Sequence, residues 1–162
     1  YFMMLQDELE DFLENDQNED ISIACEKLHG LQKSYEAQRG LAGETERELK
    51  LEEFKIRIEA ALTGNVIKVL SDGNIEESLK YVEMFKKIDR LPQMKSYYGS
   101  LQQKAYFRLW VEITNAVENT ENPRFLSDFY ENFLNNFNKQ LRWYREVFAT
   151  DGVAETVQVR IF

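Results

Sequence analysis

At 162 residues, with two prolines, seven glycines and 30% charged residues, the chain is long enough to bury a core without disulfides or a metal, and its composition favours long solvated helices over sheets. One cysteine, Cys25, no Asn-x-Ser/Thr acceptor and no apolar run near the roughly 20 residues of a membrane span argue against a disulfide-framed secreted domain and an integral membrane protein, and predict a soluble cytosolic chain. A formal charge of −9 with scattered basic residues argues against nucleic-acid binding.

The opening segment places Phe2, Leu5, Leu9, Phe12 and Leu13 at helical spacing between acidic residues, predicting an amphipathic helix that the polar run from Asn15 to Asp20 interrupts. Ile21, Ala24, Leu28, Leu31 and Tyr35 form a second stripe, which runs out in a turn near Gly40 and Gly43. Thr45 followed by Glu48 has the pattern of a capping box, predicting a third helix from Thr45 with Leu51, Phe54, Ile58, Ala61 and Leu62 on its apolar face. Gly64 either ends that helix or only weakens it, since Val66, Ile67 and Leu70 continue the pattern up to Ser71-Asp72-Gly73.

Asn74 with Glu77 repeats the capping logic for a fourth helix carrying Ile75, Leu79, Val82, Phe85 and Ile88. Leu91-Pro92 reads as a tight junction into a fifth, because proline restricts the residue before it and sits well in a first turn. The fifth helix carries Met94, Tyr98, Leu101, Ala105 and Leu109 beside a second line of Tyr106, Trp110, Ile113 and Val117, an arc wide enough to need two neighbouring helices. Asn122-Pro123 predicts the start of a long sixth helix with Leu126, Phe129, Phe133, Phe137, Leu141, Tyr144 and Phe148 on one face. The tail after Asp151-Gly152 alternates like a strand at Val157, Val159 and Ile161, yet the break equally restarts a helix, which is the assignment adopted. The expected architecture is an all-α, elongated antiparallel bundle of five or six helices forming one unit. A start at Tyr1 and an end at Phe162 inside an apolar stretch suggest a section of a longer chain.

Catalytic and metal chemistry find little support. Glu26-Lys27-Leu28-His29 with Cys25 one turn before His29 resembles half of a di-iron bundle motif, but His29 is the only histidine, so a second half cannot exist and no zinc site closes. The same scarcity removes most acid–base and nucleophilic schemes, and no phosphate-cradling glycine loop occurs. No enzyme activity, cofactor or metal is expected. Charge is uneven, −11 over residues 1–85 and +3 over 86–147, so the second half either faces an acidic partner or carries ordinary solvated charges. Aromatic pairs at Tyr97-Tyr98, Tyr106-Phe107, Phe129-Tyr130 and Trp143-Tyr144 cannot share one helix face, so several helices surround them or some are exposed.

The run from Lys80 to Tyr98, with its Ile-Asp-Arg-Leu-Pro-Gln junction, resembles the subunit-seven family of the conserved oligomeric Golgi complex, and the likeness extends over residues 7 to 148. That resemblance implies a section of a helical-rod vesicle tether at the cytosolic face of the Golgi membrane, peripheral to it, capturing retrograde vesicles that recycle glycosylation enzymes. It implies a pairing with subunit five inside an eight-subunit assembly, and through the assembly with SNAREs and Golgi coat or Rab proteins. Asp89, Arg90 and Pro92 match the junction, where a structural role is expected, with the aspartate or arginine bonding helix-end groups. Tyr97, Phe107, Trp143 and Val147, each off the main stripe of its helix, are the candidate partner contacts. The rival functional class is a stand-alone adaptor that takes an amphipathic target helix into one deep apolar groove.

Overall fold

The computed structural model describes residues 1–15, 20–118 and 124–148. Six helices account for nearly all of them: α1 Phe2–Asn15, α2 Ile21–Ala37, α3 Glu44–Asp72, α4 Ile75–Lys87, α5 Leu91–Glu118 and α6 Phe125–Phe148. No strand occurs among the described residues. Residues 16–19 between α1 and α2, the Asn122-Pro123 start signal and the tail from residue 149 lie outside them.

The predicted stripes make the core. Phe2, Leu9 and Phe12 of α1 are buried with Ala24, Leu28, Leu31 and Tyr35 of α2 and with Leu51, Phe54, Ile58, Leu62, Val66 and Leu70 of α3. The last six recur every three or four residues through Gly64, which therefore leaves α3 unbroken at 29 residues, about 43 Å at 1.5 Å per residue. Ala61 and Ile67, read as part of that stripe, face outward instead. Val82, Phe85 and Ile88 bring α4 into the same core, and α1 to α4 pack successively on one another.

Helix ends follow local chemistry. The Asp20 side chain accepts from Ser22 N–H at 3.0 Å and the Asn74 side chain from Glu77 N–H at 3.1 Å, capping α2 and α4. The capping box expected at Thr45 is not formed. Gly43 is the N-cap in a left-handed conformation (φ 77°) and supplies no side chain. Arg47 instead reaches back to the carbonyls of Ala42 and Leu41 at 2.8 and 3.2 Å, while Glu44 accepts from Gly40 N–H at 3.0 Å. Gly73, left-handed at φ 68°, ends α3 where Ser71-Asp72-Gly73 predicted a stop.

Ion pairs stitch the first four helices across their faces: Lys27 to Glu8 at 3.1 Å, Lys50 to Glu10 at 3.2 Å, Arg57 to Glu10 at 3.6 Å, and Lys87 to Glu26. Exposed pairs of this kind each contribute about 0–1 kcal/mol. The core, not the charge, holds the body together.

Candidate functional site

Two features stand out: the junction between α4 and α5, and the hairpin that α5 makes with α6. At the junction the C-terminus of α4 closes with a pair of backbone bonds, Asp89 N–H to Lys86 O at 3.1 Å and Arg90 N–H to Phe85 O at 2.8 Å. This is the Schellman arrangement, which needs a left-handed residue at its hinge. Asp89 occupies it with φ 58°, the one positive φ among described non-glycine residues. The Arg90 carbonyl then accepts from Gln93 N–H at 3.1 Å and Met94 N–H at 3.3 Å, so α5 starts within one residue of the turn. Pro92 sits in the first turn of α5, where a missing N–H leaves no intrahelical bond unmade.

The side chains at the junction do something different from the expected bonding of helix ends. Arg90 reaches across to α3, bonding Glu52 and lying 3.6 Å from Glu59. Glu59 also accepts from the Tyr97 hydroxyl. The Arg90 and Glu59 side chains are only 14% and 15% exposed, which makes this a half-dry network in which losing one member strands another. Burial, and next the bond to Glu59, push the Tyr97 phenol above its ordinary value. Asp89 adds a pair with Lys55 at 3.4 Å. The result is a clamp that fixes the direction in which α5 leaves the body along α3.

Beyond the clamp, α5 and α6 run antiparallel and stack an aromatic ladder between them. At the base, Tyr98 stacks on Trp143 with centroids 5.1 Å apart and 13° between planes, and meets Tyr144 and Phe148 at 5.4 and 5.9 Å. The Tyr98 hydroxyl lies 3.1 Å from Gln140 Oε1, and burial pushes its phenol up. Trp143 Nε1–H donates to the Gly73 carbonyl at 2.8 Å, fastening α6 to the end of α3. Toward the tip, Tyr106 meets Phe133 at 5.1 Å and Trp110 meets Phe129 at 5.8 Å.

The wide apolar arc of α5 is served by α3 and α4 near its start and by α6 along its length. The fully packed positions of the hairpin are Met94 and Tyr98 at one end and Val147 and Phe148 at the other, all at the base. Past Leu101, which still packs on the core, the two helices form an arm in which no described residue of α5, nor of α6 before Val147, is buried. Trp110, Tyr130 and Leu126 are 50%, 62% and 70% exposed there. Leu126 and Trp110, read from periodicity as stripe residues, are thus open to solvent, because two helices alone cannot enclose an arc that wide.

The four candidate partner residues separate accordingly. Phe107 is 67% exposed on the arm. Tyr97 is half-buried against Glu59 of α3, and Trp143 is half-buried between Tyr98 and Gly73. Val147, expected at the surface, is fully buried in the core. The reason is that α6 returns to the body at its C-terminal end and packs on α4, so even its off-stripe positions meet another helix there.

The residues of the Glu-x-x-His pattern diverge in use. Cys25 is fully buried, and loss of water around it pushes its thiol up to about 12. Glu26 pairs with Lys87, whose ammonium holds the carboxyl below its ordinary value. Among the described residues no group of three or more His, Cys, Asp or Glu is placed to hold a metal, and no helix is long and apolar enough to cross a membrane. A depression of about 780 Å³ between α1 and α3 is lined by Tyr1, Met3 and Leu49 but also by Gln6, Gln38, Glu46 and Arg47, unlike a deep apolar groove.

The sequence profile of the family described as Golgi complex component 7 (COG7) matches residues 2–161. The chain is similar to the conserved oligomeric Golgi complex subunit 7 of Drosophila melanogaster, 33% identical over 148 residues that cover 90% of this chain and 20% of that protein. The Bos taurus subunit is 28% identical over 91% of this chain and 19% of its own length, and the Homo sapiens subunit 26% identical over 85% and 18%. The chain therefore spans about a fifth of the length of these relatives. No solved structure matches it. An all-α body ending in an aromatic-rich two-helix arm, matched along nearly its whole length by that profile, belongs to the Golgi complex component 7 family.

Proposed function

We propose that this chain is a section of a non-catalytic vesicle-tethering subunit, and that its α5–α6 arm docks on another helical subunit of the same assembly, with subunit five the leading partner. The observation that carries this is the arm itself: Phe107, Trp110 and Tyr130, three of the four exposed aromatic side chains among the described residues, lie on a hairpin fastened at its base by Trp143, Tyr98 and the Arg90 clamp. Clustered exposed aromatics fit a protein interface, where Trp and Tyr carry much of the binding energy. Family membership supplies the setting, an oligomeric Golgi complex named in the relatives. On this reading the subunit works at the cytosolic face of the Golgi, peripheral to the membrane, in the retrograde traffic that maintains glycosylation enzymes. SNAREs, coat and Rab proteins meet it through the assembly.

The test is affinity purification of the full-length subunit from cell extract, wild type against a Trp110→Asp/Tyr130→Asp variant, alongside lectin staining of cells depleted of the subunit. Recovery of the other complex subunits with wild type only, and altered surface glycans restored by wild type only, are expected. Equal recovery with both forms removes the Trp110 and Tyr130 side of the arm from assembly. Recovery of a single partner from outside the complex favours a stand-alone adaptor.

A further inference from the structure

The outer face of α5 carries a pattern that the aromatic ladder does not use. Ser100, Lys104, Phe107, Arg108 and Val111, at spacings of three and four, lie on one side of the helix, away from the line of Tyr98, Tyr106 and Trp110 that meets α6. Phe107 stands two-thirds exposed in the middle of it. A depression of about 400 Å³ lined by Ser100, Gln103, Lys104, Phe107 and Arg108 runs along this side.

Charge adds to this face, although Arg39 and Lys68 of the body likewise form no ion pair among the described residues. In the body, Lys27, Lys50, Arg57, Lys87 and Arg90 each meet a carboxylate of a neighbouring helix. Lys104 and Arg108 meet none among the described residues, and Glu112, one turn on from Arg108, forms no ion pair with it. Residues 1–85 hold a large excess of acid, so these two cations are unpaired through placement rather than through shortage of carboxylates. An exposed aromatic between two free cations is a complementary surface for an apolar residue flanked by acids.

We propose that this face of α5 seats an acidic amphipathic helix of another protein, with Phe107 as the apolar anchor and Lys104 and Arg108 pairing with carboxylates one turn to either side. The inference rests on the reading of the arm as a docking surface and adds which face is used and what seats there. A neutral apolar helix would bury two cations unpaired, and a second copy of this arm would bring like charges together. A membrane is a poorer fit, because anionic lipid surfaces are recognised by clusters of about 4–8 Lys/Arg. The small side chain of Ser100, one turn below Lys104, leaves room for a helix to approach closely.

The experiment uses the full-length subunit co-expressed with the other complex subunits, with photoreactive p-benzoylphenylalanine placed at position 107 and, separately, at position 130 on α6. Cross-linking from 107 to a helix of another subunit with Asp or Glu within one turn of the linked residue is expected. The complex should also lose on the order of tenfold in affinity with Lys104→Glu/Arg108→Glu, with a smaller loss for Lys104→Gln/Arg108→Gln and with rising salt. Helicity measured by circular dichroism should stay unchanged in both variants, and the milder pair decides the matter if charge reversal disturbs folding. Links from 107 to a segment without acids, to this chain or to lipid in anionic vesicles overturn the proposal, as does affinity insensitive to salt. Links to another subunit from 130 but none from 107 overturn the assigned face and leave the arm reading standing. Silence from both positions removes both.

Discussion

Trp143 gives the sharpest test of how the arm is attached, because its two interactions can be removed separately. Trp143→Phe keeps a ring against Tyr98 and deletes the N–H that bonds the Gly73 carbonyl at 2.8 Å. That carbonyl is near the surface and regains water, so the loss should be the net value of one hydrogen bond, about 1 kcal/mol. Trp143→Ala also removes the stack at 5.1 Å and the edge contact with Phe148 at 6.2 Å. Aromatic pairing contributes about 0.5–1.5 kcal/mol beyond area. A core Trp→Ala costs about 3–5 kcal/mol, and half-burial brings the expected total to about 2–3 kcal/mol. In a chain of this size each kcal/mol lowers Tm by about 2–4 °C. Urea unfolding followed by circular dichroism should therefore order wild type, Phe and Ala with the second step larger than the first. Equal losses for Phe and Ala would refute the value given to the stack. Unchanged stability in both, with weakened subunit assembly, would return Trp143 to the interface and refute the strut.

Four further outcomes are expected. Arg90→Ala should cost about 1–3 kcal/mol by leaving Glu59 half-buried without its cation, and Glu59→Gln added to it should cost less than it does alone, which a double-mutant cycle measures. Phe107→Glu should leave stability within about 0.5 kcal/mol of wild type in thermal melts, since its side chain is mostly in water. Asp20 and Glu26 are held below their ordinary values of 3.8 and 4.5, the first by Ser22 hydrogen bonds and the second by Lys87. Their contribution is complete above those values and is lost as pH falls through the lower folded ones, so Asp20→Asn and Glu26→Gln should flatten part of the acid limb of a stability-against-pH curve. Cys25 is raised from 9.0 to about 12, so its neutral thiol favours the fold fully below pH 9 and ever less as pH rises toward 12. Cys25→Ala should make that alkaline limb shallower.

Much of the fold is legible in the sequence because apolar spacing reports directly on which side of a helix is buried. Leu51, Phe54, Ile58, Leu62, Val66 and Leu70 mark α3 without help, and Asn74 ahead of Glu77 marks the start of α4. Spacing does not say how many neighbours a face will have. Trp110 continues the line of Tyr106 and Ile113, and Leu126 the stripe that ends in buried Phe148, yet both are exposed near the tip, so helical spacing means core at the base and open surface at the tip. Val147 is the converse, an off-stripe residue that burial reaches because α6 re-enters the body.

Local signals also compete. Thr45 and Glu48 have the chemistry of a capping box, but left-handed Gly43 sets the helix entry two residues earlier and Arg47 takes over the bonding. At the junction, Leu91-Pro92 reads as a tight turn from proline chemistry, whereas Asp89 and Arg90 are singled out only by the family resemblance. The side-chain partners of Arg90 are not legible, since Glu52 and Glu59 look like ordinary solvated carboxylates until α3 is seen beside them, 38 residues upstream of Arg90 in the case of Glu52. The Trp143 strut is illegible for the same reason: nothing in a linear pattern announces that an indole will meet the end of a helix 70 residues away.

Hydrogen–deuterium exchange on the full-length subunit, alone and within the assembled complex, tests the claim that the arm is the docking element most directly. Amides of the body helices α1 to α4 should exchange alike in both states, because their core is already complete. New protection should concentrate on residues 103–116 of α5 and 126–138 of α6. Protection confined to the body, with the arm exchanging as freely in the complex as in the isolated subunit, would contradict it.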